Sequence, residues 1–153
     1  MKDRLRFNYI LDAEHNVLPV EIWNGRKFHM ENMAFWGGWF ESYANRKVAD
    51  NRIGPFRVST VFLGIDHRFD GKGAPIVFET MVFDHNNPQV LNLLGRARVY
   101  MPEVYNLTNR YCTWDEAVEG HRKTVGKLRR LFRGFTKRER AEAKAMAKHE
   151  KKP

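Results

Sequence analysis

The chain has 153 residues, of which 42 % are hydrophobic and 13 % aromatic, a content that excludes a wholly disordered chain and fits one domain better than two separate cores. No apolar run approaches the ~20 residues that cross a bilayer, and the first fifteen residues lack the apolar segment of a secretory signal. The single cysteine excludes an intrachain disulfide. We therefore expect a cytoplasmic protein without a membrane span. The formal net charge of +9 points to anionic partners.

The first elements along the chain are two predicted strands. Residues 6–12 combine aromatic and β-branched side chains, which are typical of a strand. A turn follows at 13–16, and residues 17–20 predict a second short strand. Pro19 places this second strand at a sheet edge, because proline has no N–H to donate to a ladder.

An amphipathic helix is predicted over residues 28–43. Its large apolar side chains recur at three- and four-residue steps, and we expect this stripe to face the core: Met33, Trp36, Phe40 and Tyr43. Gly37 and Gly38 interrupt the pattern, and each costs a helix about 1 kcal/mol relative to alanine. They predict either a bend or a second backbone packed very close to the helix.

The middle of the chain predicts a β-meander. Residues 47–52 form a strand, and Gly54-Pro55 turns the chain into a longer, nearly continuous apolar strand over 56–66. Such a run is typical of a central strand that is covered on both faces. After a second turn at 70–73, residues 75–83 return as another strand, and together the two long strands predict a hairpin.

A second helix is predicted over residues 114–133. Thr113 and Glu116 match a capping box, in which each side chain satisfies a backbone amide of the first turn. Gly134 is expected to end the helix. One apolar stripe runs along it at three- and four-residue steps: Ala117, His121, Val125 and Leu128.

The remaining residues predict a separate basic extension. Thr136 and Glu139 match a second capping box, which opens a stretch rich in Ala, Lys, Arg and Glu that continues to about residue 148. We therefore divide the chain into a domain at 1–134 and a helical tail at 135–153. The fold class is α+β: an antiparallel sheet centred on the 56–66 and 75–83 hairpin, covered by the helices at 28–43 and 114–133.

Four polar side chains within or at the ends of apolar elements form a candidate catalytic cluster. They are Asp66, His67, Glu79 and His121. If they converge, they can bind a divalent metal or perform general acid/base catalysis, which predicts a metal-assisted hydrolase, for example a nuclease. In the alternative interpretation His121 is buried and hydrogen-bonded to Glu79, while Asp66 and His67 close the hairpin. No local motif identifies a cofactor or a metal.

Positive charge is concentrated at the C-terminal end of the chain. Residues 1–119 contain 14 Lys/Arg and 15 Asp/Glu, a net charge of −1, whereas residues 120–153 contain 13 Lys/Arg and 3 Asp/Glu, a net charge of +10. This asymmetry predicts contact with nucleic acid or with an acidic protein surface. The expected contact residues are Arg129, Arg130, Arg133, Lys137, Arg138, Arg140, Lys144 and Lys148.

Three sequence strings resemble a family of small uncharacterised proteins encoded by tailed phages and prophages. The strings are VSTVFLGIDH at 58–67, FETMVF at 78–83 and RYCTWDEAVEGH at 110–121, and the resemblance covers roughly residues 46–125. It implies a phage-type origin, and with it the host cell cytoplasm, but no mechanism. From the charge asymmetry we expect a phage accessory protein that acts by binding. A virion or host-factor adaptor is a further alternative. The basic end after Leu131 departs from the family pattern and looks like an addition.

Overall fold

The computed structural model describes residues 6–68, 72–84, 104 and 107–149, and their side chains except at positions 6, 7, 84, 140 and 142–149. Within these ranges two antiparallel sheets and three helices form the α+β fold that the sequence predicts. The elements are, in chain order, β1 (Arg6–Leu11), β2 (Val17–Trp23), α1 (Met30–Glu41), α2 (Tyr43–Arg46), β3 (Lys47–Ile53), β4 (Phe56–Phe62), β5 (Phe78–Asp84), β6 (Asn109–Tyr111) and α3 (Trp114–His149).

The larger sheet has the strand order β3-β4-β5-β6, and each neighbouring pair is antiparallel. The predicted hairpin is confirmed, since β4 and β5 pair from Phe56 opposite Asp84 to Phe62 opposite Phe78. Strand β4 is shorter than the predicted 56–66, because Gly64 adopts a φ of 70°, which is incompatible with a strand. As a central strand, β4 has five buried residues among its seven.

Helix α3 covers one face of this sheet and begins as predicted. The Thr113 hydroxyl accepts a hydrogen bond from the Glu116 N–H at 3.2 Å, and the Glu116 carboxylate accepts one from the Thr113 N–H at 3.1 Å, so the capping box is confirmed. All four residues of the predicted stripe are buried: Ala117, His121, Val125 and Leu128. The stripe packs on the face of β4 that carries Phe56 and Val58.

The prediction that this helix ends at Gly134 is wrong, because α3 is continuous to His149. Phe132 and Phe135, which flank the glycine, both pack against the core. This packing stabilises the helical conformation on both sides of Gly134, so the helix continues through it. The second capping box is also wrong: the Thr136 hydroxyl donates back to the carbonyl oxygens of Phe132 and Arg133, a bond typical of a helix interior. Neither α3 nor any other helix in the described residues is long and apolar enough to cross a membrane.

The smaller sheet is a two-stranded ribbon of β1 and β2, as the sequence predicts, and α1 packs against it. The ribbon joins the larger sheet through a hydrogen bond from the Tyr9 N–H to the Gly64 carbonyl oxygen. Trp36 anchors α1 to the ribbon, since its indole N–H donates to the Tyr9 carbonyl oxygen at 3.0 Å. The ribbon and α1 therefore form a layer beside the main sheet.

The predicted core position of the α1 stripe is wrong, because α1 contains no buried residue. Met33 and Tyr43 are exposed, and only the neighbouring Trp39 reaches the main core, where its ring meets Phe62 edge to face. The physical reason is the narrow ribbon beneath α1, which covers one side of the helix only. The expected close approach of a second backbone at the glycine pair is also absent among the described residues, since nothing lies within 4 Å of a Cβ built on either glycine.

Candidate functional site

His121 lies at the centre of a buried hydrogen-bond chain between α3 and the sheet. Its Nδ1 atom is 2.8 Å from the Thr60 hydroxyl oxygen, which is 2.6 Å from the Thr80 hydroxyl oxygen on the neighbouring strand. On its other side, the His121 Nε2 atom is 2.8 Å from the side-chain oxygen of Asn51 in β3. Three strands and the helix are thus joined by four side chains.

The Asn51 oxygen and the neutral state of His121 together fix the direction of every hydrogen bond in this chain. The Asn51 amide oxygen can only accept, so the Nε2 atom of His121 carries a proton and donates it. In the neutral imidazole Nδ1 then accepts from the Thr60 hydroxyl, which in turn accepts from Thr80. Burial lowers the pKa of His121 below its ordinary value, against a smaller opposing effect of Asp50. The network therefore holds a neutral histidine.

The hairpin register separates His121 from Glu79. Thr60 lies opposite Thr80, and Val61 lies opposite Glu79, so Glu79 points to the other face of the sheet from the threonines that contact His121. On that face its carboxylate accepts a hydrogen bond from Arg110 Nε at 2.8 Å. The alternative interpretation, in which His121 bonds to Glu79, is therefore correct about burial and wrong about the partner.

Asp66 and His67 close the end of the hairpin, as that alternative interpretation proposes. One carboxylate oxygen of Asp66 accepts the N–H groups of Arg68 at 2.8 Å and Ile76 at 2.9 Å, while the His67 N–H donates to the Ile76 carbonyl oxygen at 2.9 Å. Within the described residues no group of three or more His, Cys, Asp or Glu side chains could hold a metal ion. The predicted catalytic cluster does not form there, because Glu79 and His121 occupy opposite faces.

Sequence reasoning missed Asn51 as the partner of His121. The signal was present in the tight turn between β3 and β4, since pairing Ile53 with Phe56 brings Asn51 opposite Val58. Because side chains alternate along a strand, Asn51 then shares the face of Val58 and Thr60 that α3 covers.

The second candidate site is the outer face of α3, called here the basic face. Its five described cations are all exposed, and within the described part of the chain none of them forms an ion pair with a carboxylate. They are Arg129, Arg130, Arg133, Lys137 and Arg138. The side chains of the other three predicted contact residues, Arg140, Lys144 and Lys148, lie outside the described residues.

Several cations outside the basic face, in contrast, have acidic partners. Arg57 forms an ion pair with Asp50 across the β3–β4 hairpin and lowers the pKa of that carboxyl group. At the start of α3, Arg122 holds both oxygens of Glu119 at 2.7 Å and lowers the pKa of the Glu119 carboxyl to about 2. The change from paired to unpaired cations occurs along one continuous helix.

No family model, no curated protein and no solved structure matches the chain.

Proposed function

We propose that this is a phage-type accessory protein that acts by binding, and that the basic face of α3 contacts the phosphate backbone of nucleic acid. One observation carries the proposal: five exposed cations lie along a single helix and lack carboxylate partners in the described residues. The resemblance of residues 46–125 to phage proteins supports the phage-type origin.

The position of the cations on the helix favours a linear polyanion. At 100° per residue, Arg130, Arg133 and Lys137 lie about 140–200° around the helix from Leu128, which faces the core. Helical rise places the ends of the basic face, Arg129 and Arg138, about 14 Å apart along the axis. Arg129 and Arg138 lie about 180° apart around the helix, so they flank the other three cations. A 14 Å length of duplex carries about eight phosphate charges, more than the five described cations of the face.

The proposal implies binding without base specificity. Phosphate contacts position a protein on nucleic acid but do not read the sequence. We expect duplexes of different sequence to bind with similar affinity, and competition by added salt to weaken all of them alike.

The direct test neutralises part of the basic face without shortening the chain. Deleting residues 135–153 would also remove Phe135, which packs on the core, so substitutions are the cleaner change. We expect Arg129→Gln/Arg133→Gln/Lys137→Gln to weaken binding of a fluorescein-labelled 20-base-pair duplex about a hundredfold at 0.1 M salt, measured by fluorescence anisotropy.

A matched variant separates local contact from net charge. Arg26→Gln/Lys27→Gln/Lys47→Gln removes the same number of charges from exposed positions outside α3, and Lys47 lies at the opposite end of β3 from Ile53, which lies beside the basic face. Because exposed charges are screened beyond about 10 Å at this ionic strength, this variant should keep its affinity within about threefold. Equal losses in the two variants, or no binding by the unmodified chain, would refute the proposed function.

A further inference from the structure

A cleft of about 710 Å³ lies between the edge strand β6 and the first half of α3. Four cationic side chains line it, Arg68, Arg110, Lys123 and Lys127, together with two carboxylates, those of Glu116 and Glu119. Ile76, which is partly exposed, adds apolar surface. The volume lies in the range of about 300–1,000 Å³ that is usual for small-molecule sites. Because cations of this wall retain hydrogen-bond donors that no group of the described protein uses, we infer that the cleft binds an organic phosphate of nucleotide size.

The two carboxylates of the wall already use their oxygens within the protein. Glu116 accepts the backbone N–H groups of Cys112 and Thr113 at 3.0 and 3.1 Å. Glu119 accepts two hydrogen bonds from Arg122, a residue outside the cleft, and its pKa near 2 keeps it ionised in that pair. Glu119 also pairs with Lys123, whose Nζ atom lies 3.5 Å from a carboxylate oxygen, and Arg110 pairs with Glu79 at 2.8 Å. Within the described residues, the wall cations that lack a carboxylate partner are therefore Arg68 and Lys127.

The cations of the wall retain unused donors. Lys127 has no partner among the described residues. Arg68 donates through Nε to the Ala74 carbonyl oxygen and through Nη2 to the Cys112 sulfur, which leaves its other amino group available. Arg68 and Lys127 thus bring two positive charges to the wall that no carboxylate of the described residues pairs with. A phosphate group satisfies these donors and this charge better than a neutral ligand does.

The rest of the wall determines what the phosphate is attached to. Ile76, which is partly exposed, offers apolar contact to a flat or hydrophobic group, and the exposed side chain of Asn109 offers hydrogen bonds. A nucleoside monophosphate has each of these parts. This inference does not depend on the proposed function, because the cleft cations and the five cations of the basic face are different residues.

The test uses the full chain and titrates it with adenosine monophosphate by isothermal calorimetry, with adenosine as the control that lacks the phosphate. We expect saturable binding of the nucleotide and none of the nucleoside. Lys127→Gln, an exposed position, should weaken binding about tenfold. Arg26→Gln removes the same charge from an exposed position outside both the cleft and the basic face and should leave the affinity unchanged. No nucleotide binding, or equal weakening by the two substitutions, would overturn the inference.

The single cysteine gives a second readout at the same place. Cys112 lines the cleft and is partly exposed, so bound nucleotide should slow its alkylation by iodoacetamide severalfold, whereas adenosine should not. An unchanged alkylation rate at saturating nucleotide would contradict binding in this cleft. The triple variant of the basic face distinguishes the two proposals, because it should lose the duplex and keep the nucleotide.

Discussion

The glycines of α3 test whether this helix runs unbroken from the core into the basic face. Gly134 lies where a helix stop is expected from the sequence, yet it lies inside a continuous helix and does not adopt a positive φ. A Cβ at this position meets nothing within 4 Å. Because alanine exceeds glycine in helix propensity by up to about 1 kcal/mol, Gly134→Ala should raise the free energy of unfolding by about 0.5–1 kcal/mol.

Gly120 provides the opposite expectation within the same helix. A Cβ there would lie closer than 3.0 Å to the ring and hydroxyl of Tyr111, a separation that real Cβ atoms essentially never show. Displacing this partly buried ring should cost about 1–3 kcal/mol, more than the gain in helix propensity. Gly120→Ala should therefore destabilise the protein, and adding Tyr111→Ala should remove the clash and with it most of the difference between glycine and alanine.

Urea denaturation followed by circular dichroism measures both effects, with Gly126→Ala as a control whose nearest neighbour is 3.9 Å away. Thermal midpoints should rise for Gly134→Ala by about 1–4 °C. A marked loss of stability in Gly134→Ala would show that this glycine ends a helix, and would separate Lys137 and Arg138 from the part of α3 that packs on the core. A neutral or stabilising Gly120→Ala would contradict the packing of Tyr111 on α3.

Two further predictions concern the buried network of His121. Thr60→Val removes two hydrogen bonds and leaves a buried imidazole nitrogen without a donor, so it should cost about 1–3 kcal/mol. Thr80→Val removes one bond and should cost less; equal costs would contradict the central position of Thr60 in this chain. Folding lowers the pKa of His121, so the unfolded chain binds the proton more readily than the folded protein. The contribution of neutral His121 to the free energy of unfolding should therefore be fully present above pH 6.5. It should fall on acidification towards the lower folded-state pKa, by up to about 1.4 kcal/mol per pH unit. Denaturation between pH 5 and 8 should show this component in the unmodified chain and not in His121→Gln; identical pH profiles would refute it.

The sequence predicts those features that depend on nearby residues. The capping box and the stripe of α3 are confirmed because both follow from helical spacing within a few turns, and the β4–β5 hairpin follows from two apolar strands separated by turn residues. The same local reasoning fails at Gly134, where packing of Phe132 and Phe135 on the core outweighs the low helix propensity of one glycine.

The candidate site depends on information that spacing does not contain. Whether Glu79 shares a face with His121 is decided by a one-residue choice of register, and the loop between β4 and β5 does not determine that choice. Likewise, the stripe of α1 indicates a helix but not the width of the surface beneath it, and the narrow ribbon leaves Met33 exposed. The charge asymmetry is read from composition, but the lack of carboxylate partners on the basic face required the structure.

The salt dependence of duplex binding tests the central claim most directly. If the five described cations of the basic face each contact one phosphate, the logarithm of the association constant should fall with the logarithm of salt concentration with a slope of about −4 to −5 between 50 and 200 mM salt. The Arg129→Gln/Arg133→Gln/Lys137→Gln variant should reduce the magnitude of that slope by about 3. A slope near zero, or one that the variant leaves unchanged, would contradict phosphate contact by this helix.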